Sequence, residues 1–189
     1  MPFLLIPLLL LAGSGFALSL SLHLPTLLGY PPLVTQWLGE KHTELLPGAI
    51  TAGIFVVWLP ATVIANRIGG GRGTRFSWKP VLAGCPPWML YAVYGLVGYA
   101  VLNFFIALSD GPRVNNPHGD PLPFARVAGG HWLLFYGAAF AIFWSALQRA
   151  GLLRSRQCPT GHTVSHADRF CPLCGLAVPG SEHDLREPR

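Results

Sequence analysis

Charge is what this sequence has least of. Asp, Glu, Lys and Arg make up 11% of its 189 residues, where a soluble domain carries about 25%. The deficit is uneven. Met1–Gly39, Leu45–Asn66, Pro80–Ser109 and Val127–Gln148 contain no charged residue at all. A bilayer core asks for roughly 20 consecutive apolar residues per helix, and each run is long enough. The pattern excludes an ordinary soluble domain and predicts an all-α integral membrane protein. Four transmembrane helices are expected near 3–22, 45–65, 87–108 and 127–147, within a membrane domain over 1–150.

Other absences narrow the function. No Asp or Glu falls inside a span, which disfavours a proton-relay pump. No G-x-S-x-G and no H-E-x-x-H occurs, so serine-hydrolase and zinc-protease chemistry lack their residues. The loop Ile68-Gly-Gly-Gly-Arg72-Gly-Thr-Arg75 has no Gly-Lys-Ser/Thr ending and no preceding strand, so it is read as a basic surface loop and not a nucleotide site. The first span lacks the basic start of a signal peptide, and a retained helix is expected there. No internal inverted repeat is visible, as a repeat-built transporter would need. Nothing in the chain marks a catalytic centre.

The basic residues that exist are placed asymmetrically. Arg67, Arg72, Arg75 and Lys79 follow the second span, and Arg149, Arg154, Arg156, Arg169, Arg186 and Arg189 follow the fourth. The remaining loops hold only Lys41, Arg113 and Arg126. Basic residues in short loops stay cytoplasmic, so both termini are expected in the cytoplasm, with a bacterial inner membrane as the default location. The net charge of +5 then reflects topology and anionic lipid, and nucleic acid is disfavoured as a partner.

Within the spans, small and polar residues suggest how helices meet. Ala12-Gly13-Ser14-Gly15 is a small patch in the first span, and Gly137, Ala141 and Ser145 recur at four-residue spacing in the last. Both are candidate helix-packing faces. Asn103 is the one strongly polar side chain deep in a span and is expected to bond across to another helix. Pro60 is expected to kink the second span. Trp132, Tyr136 and Trp144 are placed as aromatic belts at the two interfaces. Cys85 has no second thiol nearby and reads as a packed or free thiol. His23, His42, His118 and His131 all fall on the outer side. His23 and His131 are the pair nearest to helix interiors, so they are candidate ligands for an outer-face metal or haem, although haem is disfavoured for want of a proper pair.

The densest chemistry is C-terminal. Cys158, His162, Cys171 and Cys174 are spaced C-x3-H-x8-C-x2-C. Four N/S donors suit a closed tetrahedral structural Zn2+ site. About twenty residues cannot bury enough surface to fold unaided, so a metal would supply the folding energy. A disulfide does not fit a reducing cytoplasm. Proline after Cys158 and Cys171, and glycine after Cys174, favour tight turns around thiolates; His166 is an alternative fourth ligand.

Over Gln157–Pro179 the pattern resembles the knuckles of a zinc ribbon, in which C-P-x-C-G recurs. The first knuckle departs from that pattern by one extra residue and a histidine. The resemblance implies a structural zinc module over 157–179, joined by a basic linker at 151–156 and followed by a flexible tail at 180–189. His131-Trp132-Leu-Leu-Phe-Tyr136 is similar to stretches of uncharacterised bacterial membrane proteins and implies no activity. The expectation is a non-enzymatic accessory, scaffold or assembly subunit whose cytoplasmic ribbon docks a partner, with other membrane or cytoplasmic subunits as partners. The alternatives are a membrane redox or metal protein using the outer histidines, and a small transporter.

Overall fold

The computed structural model describes residues 2–28, 30, 34, 45–69, 77–109, 122–153, 156–164 and 168–179. Four helices in it are long and apolar enough to cross a membrane. They are α1 (Pro2–Leu27), α2 (Leu46–Gly69), α4 (Pro87–Ser109) and α5 (Leu122–Gln148). A single turn, α3 (Trp78–Val81), lies between α2 and α4. A 3-10 turn, Ala150–Leu153, follows α5, and a two-stranded antiparallel sheet of β1 (Arg156–Gln157) and β2 (Thr163–Val164) comes next.

Three helices run past the limits that hydropathy suggested, α2 by continuing from 65 to Gly69. α1 continues through His23, Pro25 and Thr26 to Leu27, because Leu22, His23 and Thr26 are buried in the bundle. α5 begins at Leu122, five residues before the expected start at 127. α2 stays helical through Pro60. Most of the first outer loop, including His42, and most of the second, including His118, lie outside the described residues.

Helix α5 is the axis of the bundle. It packs against α1, α2 and α4 alike, and 56% of its spanning part is buried, against 17%, 22% and 22% for the others. Its composition explains this. Gly129, Gly130, Gly137, Ala138, Ala139, Ala141, Ser145 and Ala146 let neighbouring backbones approach closely, which is how helices associate where lipid removes the hydrophobic drive.

The contacts fix the direction of each helix. Gly15 of α1 lies against Tyr136 and His23 lies against Gly129, so α1 is antiparallel to α5. On α4, Leu96 meets Gly137 and Asn103 meets Gly130, again antiparallel. On α2, Thr51 meets Trp132 and Trp58 meets Phe135. Gly69, at its end, bonds the segment that leads to Gly84, which sits on Ser145. α2 is therefore parallel to α5. One end of the bundle carries Arg67, Lys79 and Arg149. The other carries His23, Asn103 and His131.

The aromatic-belt reading of Trp132 and Tyr136 needs correcting. Both are buried between helices. The Trp132 indole N–H donates to Thr51 Oγ1 at 3.2 Å, and the Tyr136 hydroxyl donates to the Ile50 carbonyl at 2.8 Å. These two side chains face into the bundle, so their polar tips must find protein partners. Trp144 is half-buried and stacks on Phe140. Among the described helices, α4 carries most of the exposed aromatic surface, with Trp88, Tyr91, Tyr94, Phe104 and Phe105 outward.

Candidate metal centre

The C-terminal module consists of two reversals of the chain, each carrying two donors. The first is Cys158–His162, closed by Cys158 N–H donating to the His162 carbonyl at 2.9 Å and flanked by β1 and β2. The second is Cys171–Gly175, closed by Cys171 N–H donating to the Leu176 carbonyl at 2.8 Å and flanked by the Phe170–Ala177 bridge. Gly161 and Gly175 both adopt positive φ, 83° and 73°, a region that costs a side-chain-bearing residue dearly. Among the described residues, the module's buried apolar core is Cys158, Val164, Cys171 and Val178, with Cys174 packed against it.

The two reversals bring four donors together. Sγ of Cys158, Cys171 and Cys174 and a ring nitrogen of His162 all lie within 4.8 Å of one another. Zn–S bonds of about 2.3 Å and Zn–N bonds of about 2.0 Å in a tetrahedron imply donor edges of about 3.8 Å for S–S and about 3.5 Å for S–N. The observed edges are 3.7 Å for Cys158–Cys174, 3.6 Å for Cys158–His162 and 3.7 Å for Cys171–His162, the last two measured to Nδ1. The donors therefore fit zinc. His166 lies outside the described residues.

Sequence reasoning missed Thr160. Its hydroxyl oxygen is 2.9 Å from Cys158 Sγ, 3.1 Å from Cys174 Sγ and 3.1 Å from His162 Nδ1, with the proton donated to Cys174. It caps one face of the donor set. Burial alone would raise the Cys158 thiol, but hydrogen bonds from the Thr160 hydroxyl and from backbone N–H groups bring it down to about 6. The Thr160 hydroxyl also lowers Cys174, while burial keeps Cys171 above the ordinary thiol value. His162 is raised by its contacts with Cys174 and Cys158. Two thiols are thus tuned toward the thiolate form that a metal needs. The signal for Thr160 was present in Cys158-Pro-Thr-Gly-His162: a hydroxyl midway between two ligands, next to the glycine that turns the chain.

The histidines of the helical part sit elsewhere. His23 is buried in α1, its Nε2 in a hydrogen bond with the Tyr99 hydroxyl of α4 and its ring edge-on to that tyrosine. His131 is half-buried, and its Nδ1 donates to the Val127 carbonyl at 3.2 Å. That carbonyl also accepts the Asn103 amide at 2.7 Å, a bond that joins α4 to α5. The stripe on α5 is likewise in use. Gly137 lies against Phe16 and Leu96, the Ala141 carbonyl accepts from Cys85 Sγ at 3.2 Å, and Ser145 Oγ accepts from Gly84 N–H at 2.9 Å. Burial pushes the Cys85 thiol up to about 11, as befits a packed, inert thiol.

The chain matches no protein-family model, no curated protein and no solved structure.

Proposed function

We propose that the chain is a non-enzymatic integral membrane protein, an accessory or assembly subunit whose zinc-ribbon-like module presents a docking surface in the cytoplasm. The observation that carries this reading is the closed donor set. Four protein ligands leave a tetrahedral metal no open position, so the ion shapes the chain and does not react. Two further features support it. Asn103, His23 and the small stripe of α5 are engaged in packing the bundle. On α4, Gly95 and Gly98 face open space beside outward Tyr91 and Tyr94, as a helix does when it awaits a neighbour. The segregation of basic residues favours both termini in the cytoplasm, and a bacterial inner membrane is the default.

Purification in mild detergent tests the reading. A stoichiometric protein partner that leaves when the metal is chelated is the expected result. A partner-free protein carrying a coloured cofactor overturns it.

A further inference from the structure

The module carries a surface that its own fold does not use. Phe170 is 64% exposed, Leu173 65% and Leu176 45%. All three lie in or directly beside the second reversal. Phe170 and Leu176 flank it at the Phe170–Ala177 bridge and the Cys171–Leu176 hydrogen bond, and Leu173 is in the turn itself. A module whose core is four small side chains has no apparent reason to turn its three largest apolar ones outward unless something apolar meets them.

The reach of the chain identifies what is within range. Leu153, in the 3-10 turn, still packs against the core of the bundle, and β1 opens at Arg156. Three extended residues span at most about 11 Å. The spanning part of α5, Val127–Gln148, is about 33 Å long at 1.5 Å per residue, a close match to the roughly 30 Å hydrocarbon core. The bundle therefore ends at the edge of the hydrocarbon. The headgroup layer beyond it is about 5–8 Å deep on each side, so the module starts within or directly against that layer.

Charge agrees with this placement. Residues 149–179 contain Arg149, Arg154, Arg156 and Arg169 and a single acid, Asp168, and Asp168 is buried. Basic residues next to a span are drawn to anionic headgroups.

We propose that the second reversal of the metal module seats on an anionic lipid surface, with Phe170, Leu173 and Leu176 entering the interface and Arg169 among the headgroups. The metal then sets a membrane contact as well as a fold. The first reversal, with exposed Gln157, Thr160 and Thr163, is left free for a protein. The inference goes beyond the docking role and does not depend on a partner being present.

The test uses the full chain, with an environment-sensitive fluorescent amino acid in place of Leu173, reconstituted into vesicles of phosphatidylcholine with phosphatidylglycerol. A second variant carries the fluorophore at Leu176, and a third at Thr163 as a control. Zinc content is measured on each sample, so a misfolded module is recognised by its lost metal. In zinc-loaded protein, blue-shifted emission at 173 and 176 is expected. It should be largely quenched by lipids bearing a nitroxide just below the headgroup, with the Thr163 label unaffected. Arg169→Glu should reduce that quenching. Water-like, unquenched emission at either position in zinc-loaded protein overturns the proposal. So does a blue shift that appears only when a protein fraction is added, which would assign the surface to a protein partner.

Discussion

The helical bundle and the C-terminal module are folded by different physics. In the bundle, order comes from close approach: Gly15 against Tyr136, Gly129 against His23 and Gly84 against the Ser145 backbone. No single atom dominates, and polar groups such as Asn103 serve as crosslinks between helices. The module has almost no apolar interior and gathers its four donors around one point. The contrast teaches that two parts of one chain, joined within a few residues, should fail independently and for different reasons.

The sharpest break is loss of the ligands. A structural zinc supplies on the order of 10 kcal/mol to a module of this size. Cys171→Ser/Cys174→Ser should lose zinc and abolish amide-exchange protection over 156–179, while helical circular dichroism stays near that of the parent. Unchanged zinc content would sink the site.

Acid should reach the same end reversibly. Zinc needs thiolates and a neutral imidazole. Cys158 takes its proton near pH 6, and His162, raised above its ordinary value, takes its own at higher pH than a free histidine. Protons therefore compete more strongly as pH falls, and zinc retention should drop through and below about pH 6. A zinc-binding dye follows the release; retention independent of pH down to 4 would contradict it.

The bundle is broken by filling space. A methyl at Gly129 would lie 2.3 Å from the His23 ring, so Gly129→Ala should cost about 1–3 kcal/mol. Unfolding in mixed micelles measures this, and zinc content should not change. If the module lost its metal as well, the two regions would be coupled after all.

Thr160→Val probes the cap on the donor set. Removing a group that orients metal ligands typically lowers affinity about 10–100-fold. A competition titration with a chelator should find a loss at the lower end of that range, because backbone N–H groups also serve Cys158. The smallest effect belongs to Asn103→Leu. It removes one interhelical bond, worth about 0.6–2 kcal/mol, and it should leave the module untouched.

How far the sequence could be read depended on how local each cause was. The four spans were legible because each excludes charge along its whole length, which is a property of the run itself. The four ligands were legible because donor type and spacing are local too. Thr160 was overlooked because its place between two ligands becomes a contact only when the turn at Gly161 brings its hydroxyl over the sulfurs. Trp132 and Tyr136 were misplaced for a different reason. Helical periodicity gives the faces of a helix, and it does not say that α5 is the helix surrounded by the others.

His23 shows the same boundary. Its position put it at the end of a span, where an outward ligand is plausible. The fold instead pins it between Tyr99 and Gly129. Residue type and near neighbours in the chain fixed four runs apolar enough to cross a membrane, their helical type and the donor chemistry, because these are local properties. Only the tertiary structure decided which helix is central, which polar groups are consumed in packing and which apolar side chains are left outward on the metal module. Those depend on distances between residues far apart in sequence, and close packing sets them only once all four helices are in place.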